Sequence, residues 1–498
     1  MGGKIQSLVV LGGGTAGWMA AAMLARSWGE RLRVTLIESD AIGTVGVGEA
    51  TIPPLIQLLR FLGLDEDVVL RNIQGTFKLG IEFDGWRREG ERYMHAFGSP
   101  GSAIGVTPFY QYWLRRHLNG EDCGSLWDYS LNARMAYAGR MSREARVEGN
   151  LAGPDRAFHF DAGLLARFLR RGCEASGVIR REGKVTGVSL RSDDGFIESL
   201  TLDSGEVVAG DMFIDCSGFG GVLIEGALKA GYEDWSHWLP CDRAVTAATA
   251  PNGPPAPYTC TRAHAAGWQW RIPLQHRTGN GHVFCSAMMD NDAATRILLD
   301  HLDGAPLNEP RVIGFVTGRR KSTWVKNCVA LGLASGFMEP LESTSIHLVQ
   351  SVMTRFLEFF PDADFNPVEI AEFNRRTRRE YELIRDFLVL HYHANGRDEP
   401  FWRERRAAAI PDSLAHKLDY FRQHGRLLVE EGDLFREASW AQVLIGQGVL
   451  PAAASPMTGT VGAEALSAFM SGLKETQARA MAAMPSHADF IARHCAAS

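Results

Sequence analysis

The spacing of apolar and polar positions changes several times along the chain, and each change marks an element. "SLVVL" (7–11) is a short continuous apolar run, the pattern of a strand buried on both faces. A glycine turn follows. "TAGWMAAAMLARS" (15–27), rich in alanine and straight-chain residues, then predicts a helix. "LRVTLIE" (32–38) is a second apolar run ending in an acid. "FHFDAGLLARFLRR" (158–171) reads as a helix, and "GEVVAGDMFIDCSGFGG" (205–221) as a strand running into a second glycine-rich turn. In "GWQWRIPL" (267–274), Trp268 and Trp270 share one face if the stretch is extended. "ATAPNGPPAPYTC" (248–260) is a Pro/Gly connection. Beyond residue 366 the pattern turns helical. "EFNRRTRREYELIRDFLVLHYH" (372–393) carries Phe373, Tyr381, Ile384 and Leu388 at recurring positions, and residues 458–484 predict a last helix. No internal repeat or low-complexity linker separates these pieces.

Length and composition narrow the class. A chain of 498 residues exceeds what one core usually fills, so more than one module is expected. Hydrophobic residues make up 45% and charged residues 22%, an ordinary balance for a folded protein. A net charge of −6 argues against nucleic acid or an anionic membrane as partner. The basic clusters "RRTRR" (375–379) and "RERR" (403–406) read as solvated helix faces. The eight cysteines contain no CxxC pair, which fits a reducing cytoplasm. His391 and His393 lack a zinc-type ligand set, so no metal is expected. No apolar run reaches the roughly 18 residues of a membrane span. The first strand begins too early to leave room for a signal peptide, and Gly2 is followed by Gln6 where myristoylation wants Ser or Thr.

The first forty residues carry chemistry. Gly12, Gly14 and Gly17 form GxGxxG between the first strand and the first helix, with Thr15 and Ala16 in the turn. Gly12 permits the tight turn, Gly14 lets backbone approach a pyrophosphate, and Gly17 allows close helix–strand packing. The helix N-terminus faces the phosphate charge. Glu38 closes the second strand, 21 residues after Gly17, where an acid accepts hydrogen bonds from ribose hydroxyls. A dinucleotide is therefore expected. One such fingerprint is present, with no second for a nicotinamide domain, and Asp215, Ser217 and Gly218 look like the turn that closes over the dinucleotide in many flavoproteins. These features favour FAD.

Four further stretches make the reading specific: "GVGEATIP" (46–53), "FKLGIEFDGW" (77–86), "GWQWRIP" (267–273) and "GFMEPLESTSIHL" (336–348). With "GGGTAGWM" (12–19), they resemble the flavin-dependent halogenases of the tryptophan-halogenase family over about residues 5–395. The resemblance implies an α/β fold, FAD-binding and Rossmann-like, of the GxGxxG flavoprotein monooxygenase type, with a mixed substrate sheet and a helical C-terminal part. The FAD module would span 1–365, assembled from about 1–90, 150–225 and 310–365, with substrate-wall insertions at 90–150 and 230–310; residues 366–498 would cover the substrate. Gly48, Glu49, Ala50 and Gly336 join the expected cofactor residues.

The resemblance also implies roles. FAD arrives reduced as FADH2 from a separate NAD(P)H-dependent flavin reductase, and with oxygen and a halide ion yields hypohalous acid. Trp268, Trp270, Ile272 and Pro273 form a wall that keeps the organic substrate from the flavin. Lys78 captures hypohalous acid, either by hydrogen bonding it or as a haloamine; its apolar surroundings would lower its pKa. Glu342 stabilises the arene cation and accepts its proton. Ser343 or Thr344 is expected to cap the following helix, whose first N–H groups at Thr344 and Ser345 would hold the halide. Ser345 stands where the best-known members have glycine; were positive φ needed there, serine would resist it and the halide pocket would change shape. Bromide, easier to oxidise and less tightly hydrated, is favoured over chloride. His95 and Phe97 would hold the arene between flat faces, and Trp440 would line the pocket. The paired lid tyrosines that grip free tryptophan are not evident in residues 434–456, so an indole without the amino-acid handle, or a larger indole or phenol, is expected instead. The protein would act as a monomer or homodimer. A single-component FAD monooxygenase hydroxylating an arene is the alternative, but it would not need Lys78, Glu342 and the tryptophan pair together. A flavoprotein that has lost its chemistry would not retain Lys78 and Glu342.

Overall fold

The computed structural model describes residues 3–43, 48–144 and 154–497. Gly2, and Gly46 and Val47 of the "GVGEATIP" stretch, lie outside the described residues.

The run at Ser7–Leu11 is the buried centre of a six-stranded sheet. Arg33–Glu38 pairs with it in parallel on one side and Met212–Asp215 on the other. Cys328–Ala330 and Ile179–Glu182 extend the parallel set outward, and Trp324–Val325 adds an antiparallel edge. Carboxyl ends of neighbouring parallel strands therefore meet at the turns after Leu11 and Asp215, where α/β sheets place ligands. The stretch 205–221 holds two strands rather than one. Val207–Ala209 belongs to a separate antiparallel sheet with Ile197–Leu202 and Val185–Leu190. The polar turn at Gly210–Asp211 then delivers Met212 to the central sheet.

The helix Thr15–Trp28 packs between Ala162–Ala175 and Ser345–Glu358. Glycine makes this possible at two points. Gly12 has φ +115°, and a Cβ there would lie 2.2 Å from the Cys216 carbonyl oxygen. A Cβ on Gly17 would lie 1.8 Å from the Gly12 carbonyl oxygen.

A second, seven-stranded sheet runs in the order Arg311–Gly314, Arg243–Thr249, Thr278–Phe284, Gly267–Pro273, Thr259–His264, Gly80–Asp84, Arg92–Ala96. The tryptophan stretch is thus its middle strand, with Trp268 opposite Val283 and Trp270 opposite Gly281. Gly281 leaves the room that the Trp270 ring fills; a Cβ there would sit 2.1 Å from that ring. A small sheet of Gly48–Ala50, Ala157–Asp161 and Thr76–Lys78 joins the two larger ones. Gly48 abuts Gly279 and Ile272, and the Thr76 hydroxyl donates to the Pro273 carbonyl at 2.7 Å.

From Pro367 onward the described elements are helical. The long helix Pro367–His393 turns its C-terminal half inward, burying Tyr381 to Tyr392 nearly without interruption. The stretch predicted as the last helix forms Ala463–Ala482 and is followed by one more, His487–His494, initiated by the Ser486 side chain accepting from the Asp489 amide. Arg375 and Arg376 pair with Glu372 on an exposed helix face. No helix is long and apolar enough to cross a membrane among the described residues.

Gly17→Ala tests the helix seating. Forcing a methyl onto a backbone oxygen is overpacking, which costs about 1–3 kcal/mol. A denaturant titration is expected to show that loss, and an unchanged midpoint would mean the helix is not docked this closely.

Candidate active site

Five consecutive residues, Glu339 to Ser343, contribute three side chains to three different neighbours. Pro340–Glu342 is a single 3-10 turn, and Ser343 follows it in the left-handed region at φ +58°. For a residue with a Cβ that conformation costs about 1–2 kcal/mol. What holds it is visible: the Ser343 hydroxyl accepts from Lys78 Nζ at 2.8 Å. A hydrogen bond from a charged donor contributes about 1.5–3 kcal/mol, enough to offset the backbone cost. The expected capping therefore does not occur. Ser343 Oγ is committed to Lys78, and Thr344 occupies the N-cap position without a side-chain cap bond. The positive φ also falls on Ser343 and not on Ser345, which opens the helix Ser345–Glu358 in ordinary helical geometry. Serine at 345 therefore meets no backbone resistance.

Lys78 ends its short strand and is fully buried, at 0% exposure. Its Nζ also donates to the Thr51 carbonyl at 3.1 Å and stands 5.3 Å from the centre of the Phe97 ring. Both bonded partners are acceptors, so the third polar direction of the amine is left for a ligand. Burial pushes its pKa down to about 7, against the opposing charge of Glu342.

Glu342 is equally buried. Its Oε2 accepts from His95 Nδ1 at 2.8 Å, and its Oε1 lies 2.9 Å from His391 Nε2, at ion-pair distance though out of line for a hydrogen bond. Burial works upward on this carboxyl, but the attraction of His95 and the contact with His391 outweigh it and hold the pKa near 2. His391 donates its Nδ1–H to the Phe387 carbonyl at 2.7 Å, one helical turn back. Sequence reasoning missed this histidine as a site residue; the available signal was its place on the buried face of a helix with no metal set around it.

The expected arene residues come together only in part. His95 faces Glu342 directly, and its ring lies 5.6 Å from Phe387 and 6.1 Å from Phe435. Phe387 and Phe435 stack at 3.9 Å, and Trp440 meets Phe387 edge-on at 5.0 Å. Phe387, which sequence reasoning did not single out, thus stands between His95 and Trp440, with Phe435 stacked on it. Trp440 is 1% exposed, with Lys417 Nζ 4.2 Å from its ring centre.

At the dinucleotide turn the glycines divide into tight and open positions. A Cβ on Gly14 or Gly218 would meet nothing within 4 Å, unlike Gly12 and Gly17. Open backbone at the ends of two adjacent parallel strands is the cradle a pyrophosphate requires, so these residues fit FAD. Ala16 sits against the Gly332–Ala334 turn, where a Cβ on Gly332 would lie 2.9 Å from the Ala16 Cβ and 3.8 Å from Val349. That turn links the cofactor helix to the helix opening at Ser345. Glu38 Oε1 accepts from Arg180 at 2.6 Å and Arg170 at 3.2 Å, and Oε2 from Trp18 at 3.3 Å. A carboxylate has about four lone-pair sites, so one on Oε2 is left for a ribose. Glu49 is half-buried on its strand beside Asp161; burial and that neighbour raise its pKa to about 7.

Two expected cofactor residues are used differently. Asp215 is buried, and its carboxylate accepts from Ser217 N at 2.9 Å, Ser217 Oγ at 2.6 Å, and the Leu223 and Ile224 amides at 2.8 Å each. Its side chain is saturated; it shapes the turn around Gly218. Gly336 pairs with Arg319, and a Cβ there would lie 2.6 Å from the Gly318 carbonyl oxygen, so strand packing accounts for this glycine.

Fold and site together describe a flavoprotein whose dinucleotide cradle is joined through one helix start to a sealed lysine–glutamate pair. The family model "Tryptophan halogenase" matches residues 7–463. Tryptophan 7-halogenase RebH of Lentzea aerocolonigenes is 34% identical, with 99% of each chain covered. Tryptophan 6-halogenase ThaL of Streptomyces albogriseolus is 33% identical over 91% of each. Among solved structures, the flavin-dependent halogenase Xcc4156 of Xanthomonas campestris superposes with a TM-score of 0.96 at 45% identity, covering 99% of both chains. BrvH, a flavin-dependent halogenase from Brevundimonas sp. BAL3, gives 0.94 at 42% identity, covering 98% of this chain and 99% of that one. The chain belongs to the tryptophan halogenase family, and is an enzyme of the flavin-dependent halogenase class with the family's FAD-binding Rossmann-like fold.

The buried lysine makes a pH-dependent prediction. In the unfolded chain Lys78 titrates near 10.5, in the folded protein near 7. Below about pH 7 it is protonated in both states, and the full penalty of burying the ammonium is present; between the two pKa values the unfolded state binds more protons, so stability rises with pH. The melting-temperature advantage of Lys78→Met over the parent protein is therefore expected to be largest at low pH and to shrink steadily as pH rises above 7. A gap constant across that range would place the ammonium in a solvated site.

Proposed function

We propose that the protein halogenates an indole-like arene with hypohalous acid made from halide, oxygen and reduced FAD, and that Lys78 and Glu342 carry the arene step. The observation that carries this reading is the lysine: fully buried, bonded only to acceptors, and of lowered pKa.

Gly12, Gly14, Thr15, Ala16 and Gly17 would hold the FAD pyrophosphate, Glu38 its ribose, and the strand Gly48–Ala50 and the turn at Gly218 its remaining length. Bound reduced FAD supplies, with oxygen, the two-electron oxidation of halide. The first N–H groups of the helix at Ser345 have no intrahelical acceptor and would hold the halide, together with that of Thr344. Trp268, Trp270, Ile272 and Pro273 would exclude the arene from the flavin side: the middle strand they occupy abuts Gly48 through Ile272 and meets the Lys78 strand through Pro273.

The substitution balances at two side chains. Lys78, as ammonium, donates a proton to the oxygen of hypohalous acid; the halogen–oxygen bond breaks, water leaves, and the arene supplies the electron pair of the new carbon–halogen bond. The arene carbon then releases its proton to Glu342, whose negative charge has stabilised the cation, and proton return to Lys78 resets the pair. A pKa near 7 lets Lys78 serve both as donor and as recipient. His95 fixes the Glu342 carboxylate while its ring, with Phe97, would face the arene; Trp440 supports that wall through Phe387.

Bromide is favoured over chloride on ease of oxidation and weaker hydration alone, since Ser345 imposes no distortion. The substrate reading is an indole without the amino-acid handle, or with a larger substituent. No nicotinamide fingerprint is found, so a separate flavin reductase would supply FADH2. All eight cysteines are free, which fits a cytoplasmic setting.

With reductase, NADH, oxygen and bromide, mass spectrometry is expected to show brominated indole, and none when bromide is omitted; a hydroxylated product formed without halide would favour the monooxygenase reading. Lys78→Ala is expected to abolish halogenation while flavin oxidation continues, and position-selective product from that variant would remove Lys78 from the mechanism. Glu342→Gln should slow the arene step by about 10²-fold, the ordinary weight of a general base; a near-normal rate would exclude it.

A further inference from the structure

Glu339 is a buried carboxyl that the chemistry above does not use. It is 1% exposed. Its Oε2 accepts from Trp268 Nε1 at 2.9 Å and from the Tyr392 hydroxyl at 2.5 Å, while its Oε1 is buried with no partner among the described residues. No ion pair joins it there either. Burial pushes its pKa up to about 7, against those two hydrogen bonds. The titratable groups against it are Tyr392 and, 3.7 Å from that hydroxyl, Cys241.

The Trp268 ring is 0% exposed and packs against Trp86 at 6.1 Å and Trp270 at 6.0 Å, both tilted contacts. Packing holds the ring in place, and a hydrogen bond from Nε1 selects one of its two flip-related orientations. The acceptor comes from the residue just before Pro340, in the turn that goes on to place Glu342 and Ser343. One side chain therefore ties the tryptophan strand to the catalytic turn.

We propose that Glu339 is a positioning residue that acts through Trp268, locking the indole in the orientation that closes the wall between flavin side and arene side. The proposal rests on the wall reading of the tryptophan pair. Glutamine at 339 keeps an oxygen acceptor and should keep the lock; leucine, of similar volume, removes it.

The test uses the full-length protein labelled with 15N-tryptophan, without cofactor, the Trp268 indole signal being assigned by its loss in Trp268→Phe. The parent protein and E339Q are expected to show a Trp268 indole N–H protected from solvent exchange, and E339L to lose that protection. Assayed with reductase and bromide, E339L should release more hydrogen peroxide and lower halogenated product per flavin oxidised about fivefold, the population shift from one ordinary hydrogen bond. E339Q should restore the ratio. Adding E339L to Trp268→Leu should change nothing further, because both act through one ring. A purely structural role would lower flavin oxidation and halogenation in parallel, and that result overturns the proposal, as does an unprotected indole N–H in the parent protein. If Trp268→Leu lowers the ratio and E339L does not, the Glu339 proposal fails alone. If Trp268→Leu itself leaves the ratio unchanged, the wall reading has failed.

Discussion

The hydrogen bond between Lys78 and Ser343 is the constraint on which the site hangs. It joins residues 265 positions apart and holds a serine in a backbone region that side chains normally avoid. Because Ser343 turns left-handed, the chain leaves the Pro340–Glu342 turn at a sharp angle and starts the helix at Ser345. Glu342 and Glu339 project from that same turn, to His95 and Trp268 respectively. Three contacts on three elements are thereby set by one short segment.

Burial gives these contacts their chemical meaning. Removing a charge from water costs several kcal/mol unless partners replace the water. The three ionisable groups of the segment and its lysine respond differently. Lys78 has only neutral acceptors bonded to it, and its ammonium is destabilised. Glu342 has two imidazoles, and its charge is kept. Glu339 has two neutral donors, and its charge is disfavoured. A proton donor of moderate strength thus stands near a permanent negative charge, which is the combination an electrophilic substitution requires. Solvent would erase all three differences by screening.

The same segment couples to the cofactor cradle by packing. The helix from Ser345 lies against the Thr15–Trp28 helix, and the Gly332–Ala334 turn wedges between them. Glycines at 12, 17 and 332 are required because backbone approaches backbone or a neighbouring helix more closely than a Cβ permits, whereas Gly14 and Gly218 face open space. The protein thus uses glycine both to close one interface and to leave another accessible.

Local pattern alone determined the cofactor half. The apolar runs at 7–11 and 32–38, the GxGxxG turn and the acid at Glu38 fall within one stretch of about forty residues, so their pattern is legible there, although Cys216 against Gly12 and Arg170 and Arg180 on Glu38 arrive from distant segments. The same holds for the extended tryptophan strand and the helix at 372–393, whose periodicity is written in the chain. The sequence also marked Lys78, Glu342 and His95 as chemical candidates, but not how they meet. Only the tertiary structure decided that Ser343 serves Lys78 instead of capping a helix, that His391 faces Glu342, that Asp215 is saturated by its own turn, and that Phe387 and Phe435 stack beside His95. Each of those outcomes depends on groups brought together from distant segments, and a side chain's hydrogen-bond partner and proton affinity follow from what surrounds it in space, which no local spacing encodes.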